Sequence, residues 1–270
     1  GHDGFLKSDC GGRRVRQVLG SIVRSYLAGT PNGVRMDPES GLIFSPSHFT
    51  WMDTNFPAGS PRQGYPIEIQ VFWHAALVFL SRIEKKECRQ WQVLAGQVRE
   101  SLLRFFWRPE AGCLADCLHA DPGQPASSAR PDDAVRPNQL LAITLGAIES
   151  VDHMRRILAA CEELLVPGAI RSLADRPVKH PITIRRNGSA LNDPYRPYWG
   201  AYCGDEDTRR KPAYHNGTAW TWPFPAYCEA WALAYGDAGR QTALAWLTSS
   251  IGLLESGCLG HLPEILDGDF

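Results

Sequence analysis

Three times along this chain, a helical segment that is apolar nearly all round is followed by one that is apolar on a single stripe. The run Ile67-Glu68-Ile69-Gln70-Val71-Phe72-Trp73-His74-Ala75-Ala76-Leu77-Val78-Phe79-Leu80 is the first of the apolar kind. A helix of that composition is expected to be buried on every side. Its partner, 89–107, brings Trp91, Leu94, Val98, Leu102 and Phe105 to helical spacing and leaves the other face polar. The pair recurs as 137–149, with Pro137 at a helix start where proline is tolerated, and 152–165, striped by Met154, Ile157, Leu158, Cys161 and Leu164. It recurs again as 218–235, whose regular helix begins after Pro223 and Pro225, and 240–253. An amphipathic helix over 13–28, stopped by Gly29, precedes the set. A buried helix followed by a wetter one is the pattern of a toroid of helical hairpins, with inner helices lining the centre and outer helices wrapping them. No alternating strand pattern of useful length is present. The expected fold class is therefore all-α, with short hairpins confined to loops near 112–118 and 178–186.

The bulk numbers exclude more than they identify. At 270 residues and 44% apolar content the chain suits a single soluble domain. With 28 basic and 29 acidic residues, there is no electrostatic case for nucleic acid or an anionic membrane. No apolar run approaches the ~20 residues that span a bilayer. The eight cysteines form no paired C-x-x-C set, and no His stands at zinc-ligand spacing, so they read as thiols of a reducing cytoplasm rather than a metal site. Two glycosylation sequons, at Asn187 and Asn216, read as chance matches left unmodified.

Polar chemistry gathers where the apolar helices begin. Trp51-Met52-Asp53-Thr54-Asn55 leads into a Gly/Pro-rich loop with Arg62, then into the first helix with Glu68 and Gln70. Arg136, Asn138 and Gln139 open the second. His215, Asn216, Thr218 and Trp220, followed by Trp222, open the third. In a toroid these three clusters converge at one mouth, where free backbone N–H groups add donors. Aromatic faces with fixed carboxylate, amide and guanidinium groups make a site for a polyhydroxylated ligand. The expected ligand contacts are Trp51, Asn55, Arg62, Glu68, Gln70, Arg136, Asn138, Gln139, His215, Asn216, Thr218 and Trp220. A second carboxylate, Glu264, stands near the far end of the chain between His261-Leu262-Pro263 and Asp267-Gly268-Asp269.

From about residue 13 onward, these motifs, together with Gly41-Leu42-Ile43 and Tyr198-Trp199-Gly200-Ala201-Tyr202-Cys203-Gly204-Asp205, closely resemble the C-terminal, amylo-α-1,6-glucosidase part of glycogen debranching enzymes. The resemblance implies an (α/α)6 barrel that hydrolyses the single glucose left at a branch point of an α-glucan. It assigns Asp53 as general acid and Glu264 as general base of an inverting reaction, with no metal or cofactor. Such chemistry needs the two carboxyls ~6.5–9.5 Å apart, with a water between. It also needs the acid kept protonated, by burial or by a neighbouring carboxylate. About seven helices are legible here, fewer than such a barrel holds. The expectation is a single domain over 1–270, incomplete at both ends, whose exposed inner helices are covered by a second copy or by barrel helices outside this stretch. Another (α/α)6 glycosidase (trehalase-like, mannosyl-oligosaccharide-glucosidase-like or glucoamylase-like) and a non-catalytic glucan-binding fragment remain the alternatives.

Overall fold

In a computed structural model, residues 2–54, 60–255 and 260–269 are described. Eight α-helices run through them: α1 (His2–Lys7), α2 (Val15–Ala28), α3 (Ile67–Ile83), α4 (Cys88–Ser101), α5 (Leu141–Thr144), α6 (Val151–Cys161), α7 (Lys211–Tyr214) and α8 (Phe224–Thr248). Local chemistry sets their ends. The Gln17 side chain accepts the Arg14 N–H (2.8 Å) to open α2, and Gly29, at φ 86°, closes it. Ser150 caps α6 by accepting the His153 N–H. Helices α3 and α4 form the tightest hairpin. Val71, Leu77 and Leu80 of the one pack with Trp91 and Val98 of the other, each under 3% exposed. Such full burial contributes about 1.5–3 kcal/mol per large side chain.

The fold is mostly helical, and it departs from the all-α expectation in its connections. Strands of two or three residues pair into six small sheets among the described residues. One has three strands, in the order Gly64–Pro66, Cys117–His119, Arg130–Pro131. Another has four, in the order Leu165–Val166, Ala169–Arg171, Ala219–Trp220, Ile265–Leu266. Hairpins join Trp107–Arg108 to Cys113–Leu114 and Arg185–Arg186 to Ser189–Ala190, close to the two loops where short hairpins were expected. Strands this short fall below the length at which alternation can be read.

Three helix expectations need correction. The segment 137–149 is helical only to Thr144: a 3-10 turn over Pro137–Leu140 passes into α5, and Gly146 at φ 73° ends it in a left-handed conformation. Segments 218–235 and 240–253, expected as two helices, run together as α8 (Phe224–Thr248), which breaks at Gly236 (φ 65°, ψ −142°). The start of the first segment, Ala219–Trp220, is strand instead. Helix α3 is not buried on every side. Phe72 (51% exposed) and Phe79 (42%) share one face, because no described residue covers it. That face and α2 border an apolar groove of about 380 Å³ lined by Tyr26, Phe49 and Trp73, remote in chemistry from any carboxylate.

One buried amide ties the first motif loop's scaffold to α3. Gln70, 0% exposed, accepts the Ile43 N–H (2.7 Å) and donates to the Ile43 and Pro66 carbonyls (2.9 and 3.0 Å). Gln70→Leu keeps the volume and strands three buried backbone groups. Chemical denaturation of this variant should show a loss of about 2–4 kcal/mol with an unchanged slope. A loss under about 0.5 kcal/mol would show that Gln70 is not a latch.

Candidate active site

Arg62 holds its backbone in the left-handed region (φ 49°), an uncommon conformation for a side chain of this size. It is 3% exposed, and all five of its N–H donors are taken. Nε donates to Asp116 Oδ2 (2.7 Å), Nη1 to Thr50 Oγ1 (3.1 Å) and Glu68 Oε1, and Nη2 to Glu68 Oε2 (2.6 Å) and the Asp116 carbonyl (3.2 Å). Burial favours the uncharged form of Arg62, but Asp116 and Glu68 outweigh it and hold the guanidinium charged, well above its ordinary range.

A second buried guanidinium knits in the later segments. Arg136 donates to the Ser172 carbonyl (3.0 Å), the His215 carbonyl, Ser60 Oγ (3.2 Å) and Asn216 Oδ1 (3.0 Å). Asn138 donates to Asp116 Oδ1 (2.8 Å) and accepts the Trp51 indole N–H (2.7 Å). Gln139 accepts the Leu114 N–H (2.9 Å) and donates to the Arg136 carbonyl (3.2 Å). Asn216 accepts from Ser60 Oγ (2.7 Å) and donates to the Pro212 carbonyl (2.9 Å). The clusters that open the three apolar segments are thus in direct contact.

Burial also corrects their roles. Arg62, Glu68, Gln70, Arg136, Asn138, Gln139 and Asn216 are each 3% exposed or less, and their polar atoms are spent on one another and on backbone. They form a buried, internally hydrogen-bonded frame. Thr218 is fully buried, its hydroxyl unpartnered among the described residues. Asn55 lies outside the described residues. Burial of Asn216 also closes that sequon to glycosylation, in line with the sequence reading.

Above this support lies an aromatic cup. The Trp51 ring meets His215, Trp220 and Trp222 edge-on, at 5.1, 5.0 and 5.0 Å between centroids. His215 stacks on Trp220 at 5.2 Å with 8° between planes. Trp220 is 4% exposed, so it serves as wall, whereas Trp222 is 44% exposed and Trp51 half-buried. Both ring nitrogens of His215 lack a hydrogen-bond partner among the described residues. Burial, followed by the charges of Arg136 and Arg62, pushes this imidazole down to about 3, so it is neutral at pH 7. Gly217 (φ 153°) crosses beneath the cup, and a Cβ there would lie 2.5 Å from the Trp199 carbonyl carbon.

Both catalytic candidates are solvent-exposed. Glu264 arrives through the strand register Ala219↔Leu266 and Trp220↔Ile265, reinforced by the Thr221 N–H donating to the Glu264 carbonyl (3.2 Å). Tyr214 touches one of the candidates and feels the charge of both. Its phenol donates to Glu264 Oε2 (3.2 Å), and it is pushed up to about 12 by burial, then Glu264, then Tyr202 and Asp53. Sequence reasoning missed Tyr214 and Asp116: a lone Tyr before His-Asn-Gly, and an Asp in a hairpin, carry no periodic signal. No group of three His, Cys, Asp or Glu among the described residues could hold a metal ion.

This whole arrangement lies within residues 3–270, the span matched by one family model. The chain belongs to the amylo-alpha-1,6-glucosidase family. No curated protein matches the chain. Among solved structures, it is similar to a GH78 family rhamnosidase of Bacillus sp. GL1, at 18% identity and a TM-score of 0.40. That similarity covers 53% of this chain and 14% of the rhamnosidase.

Two buried groups make the fold of this amylo-alpha-1,6-glucosidase family member acid-sensitive. Burial raises Asp132, but its His119 hydrogen bond (3.1 Å) and the nearby guanidiniums overrule burial and hold it below its ordinary value. Its stabilisation is present above about pH 4 and is lost as pH falls through the lower folded value. His215 is depressed to about 3 against an unfolded value of about 6.5. Its neutral burial costs nothing above pH ~6.5 and destabilises the fold progressively as pH falls towards 3, by at most about 1.4 kcal/mol per pH unit. The melting temperature should therefore fall between pH 6.5 and 4. His215→Phe, which keeps a ring in the cup, should flatten that slope, and an equal slope in both proteins would contradict the assignment.

Proposed function

We propose that this chain carries the catalytic centre of an inverting exo-α-glucosidase that releases the single α-1,6-linked glucose at branch points of glycogen-like glucan. Asp53 protonates the leaving glycosidic oxygen. Glu264 takes a proton from a water that attacks C1 from the opposite face. The observation that carries this reading is the pair of exposed carboxylates beside one phenol at the edge of a Trp cup, whose polar support is already saturated internally. Among the described residues, the two acids and the exposed aromatic faces are the groups left to meet a ligand. A sugar ring stacks on Trp222 and Trp51, and covering the cup removes the water around Asp53. The reaction needs no cofactor. The alternation of apolar and amphipathic segments supports an (α/α)6 toroid, and the exposed Phe72 and Phe79 support its completion by helices beyond those described. Seven unpaired thiols among the described residues suit a cytoplasmic location.

In the full-length protein, Asp53→Asn and Glu264→Gln should each lower kcat on a 6-O-α-glucosyl oligosaccharide by at least ~10²-fold while glucan still binds. α-Glucosyl fluoride has a leaving group that needs little protonation and should rescue Asp53→Asn far more than Glu264→Gln. Equal rescue, or wild-type turnover in either variant, would overturn the roles. Faster cleavage of α-1,4 than α-1,6 linkages would replace debranching with glucoamylase-like action.

A further inference from the structure

We propose that Tyr214 is the positioning residue for the Glu264 carboxylate, an inference that rests on the base assignment above. Tyr214 closes α7 and is itself immobilised. Its carbonyl accepts the Trp220 indole N–H (2.9 Å), and its ring packs against Trp220 at 4.7 Å, His215 at 4.8 Å and Tyr202 at 5.6 Å. Glu264 is anchored differently. Its backbone is held by the strand register and by Thr221, but the side chain is exposed. The Tyr214 hydroxyl is its one side-chain hydrogen-bond partner among the described residues. A glutamate with three free torsions loses most of its value as a base unless something selects one rotamer.

The phenol selects it at one oxygen. Oε2 accepts from Tyr214, which leaves Oε1 without a side-chain partner among the described residues. In the hydrolytic step the water O–H bond breaks towards Oε1, the water oxygen bonds C1, the C1–O glycosidic bond breaks, and the leaving oxygen takes the Asp53 proton. Protons and electron pairs balance without another reactant. Burial and Glu264 keep the phenol protonated throughout the neutral range, so it donates in every step of the cycle.

Tyr214→Phe in the full-length protein tests this. The variant should lose about 10–100-fold in kcat, the range for a hydrogen bond to a charged group, with KM within threefold of wild type. In a double-mutant cycle on α-glucosyl fluoride, the same change made in the Glu264→Gln background should alter kcat less than twofold. Equal losses in both backgrounds would show that Tyr214 does not act through Glu264. A rise in KM alone would make it a substrate contact. Wild-type turnover of the Glu264→Gln single variant would instead overturn the base assignment and leave that failure distinguishable. Should Tyr214→Phe not fold, 3,5-difluorotyrosine at 214 keeps the hydroxyl and ionises at lower pH. At pH 6, where the hydroxyl still carries its proton, kcat should stay within threefold of wild type, and a loss of tenfold or more would contradict the proposal.

Discussion

The Arg62 guanidinium, with five donors matched to acceptors on Thr50, Glu68 and Asp116, is the interaction on which the rim depends. A buried cation is costly unless paired and fully hydrogen-bonded, and removing one partner of such a pair costs about 3–5 kcal/mol. Nothing else in this part of the chain could hold Glu68 and Asp116 side by side at 1–3% exposure. The arrangement specifies geometry more than it stabilises. It locks the loop of Asp53 onto the start of α3 and onto the hairpin of Asp116. Arg136 then reaches the same carboxylate at 3.6 Å and carries the frame across to Ser172, His215 and Asn216.

This division of labour explains why so many polar residues sit beneath a site that exposes so few. Hydrogen bonds in a dry frame hold Trp51 by its indole N–H and Trp220 by the Tyr214 carbonyl. Their rings therefore stand at fixed angles and need no reorganisation when a ligand arrives. His215 is neutral, 3% exposed and unbonded within the described residues. The carboxylates are left to the solvent edge, where water and substrate can reach them.

Much of the helical frame was legible because period 3.6 survives over ten or more residues, as in α3, α4 and α6. The ends were harder. Gly146 and Gly236 stand in the sequence, yet a lone glycine does not announce which turn it will end. The four-stranded sheet that delivers Glu264 to Trp220 was invisible, since two-residue strands have no period. Residue types at the site were legible, but their direction was not. Arg62, Gln70 and Arg136 beside an apolar helix start read equally well as ligand contacts or as buried frame. Only the inventory of their partners decides, and several of those partners lie 27 to 80 positions away along the chain. Tyr214 was missed for the same reason, because its partner is 50 residues on.

On the proposed mechanism, Asp53 and Glu264 stand far enough apart for a water to enter between Glu264 and the sugar, and that spacing dictates stereochemistry. The anomeric form of the first glucose released reads it directly. Proton NMR of the full-length protein hydrolysing a 6-O-α-glucosyl oligosaccharide, recorded before mutarotation, should show β-glucose appearing first and the α-anomer growing in later. α-Glucose as the first product would mean a double displacement with carboxyls about 5 Å apart, and would contradict the account.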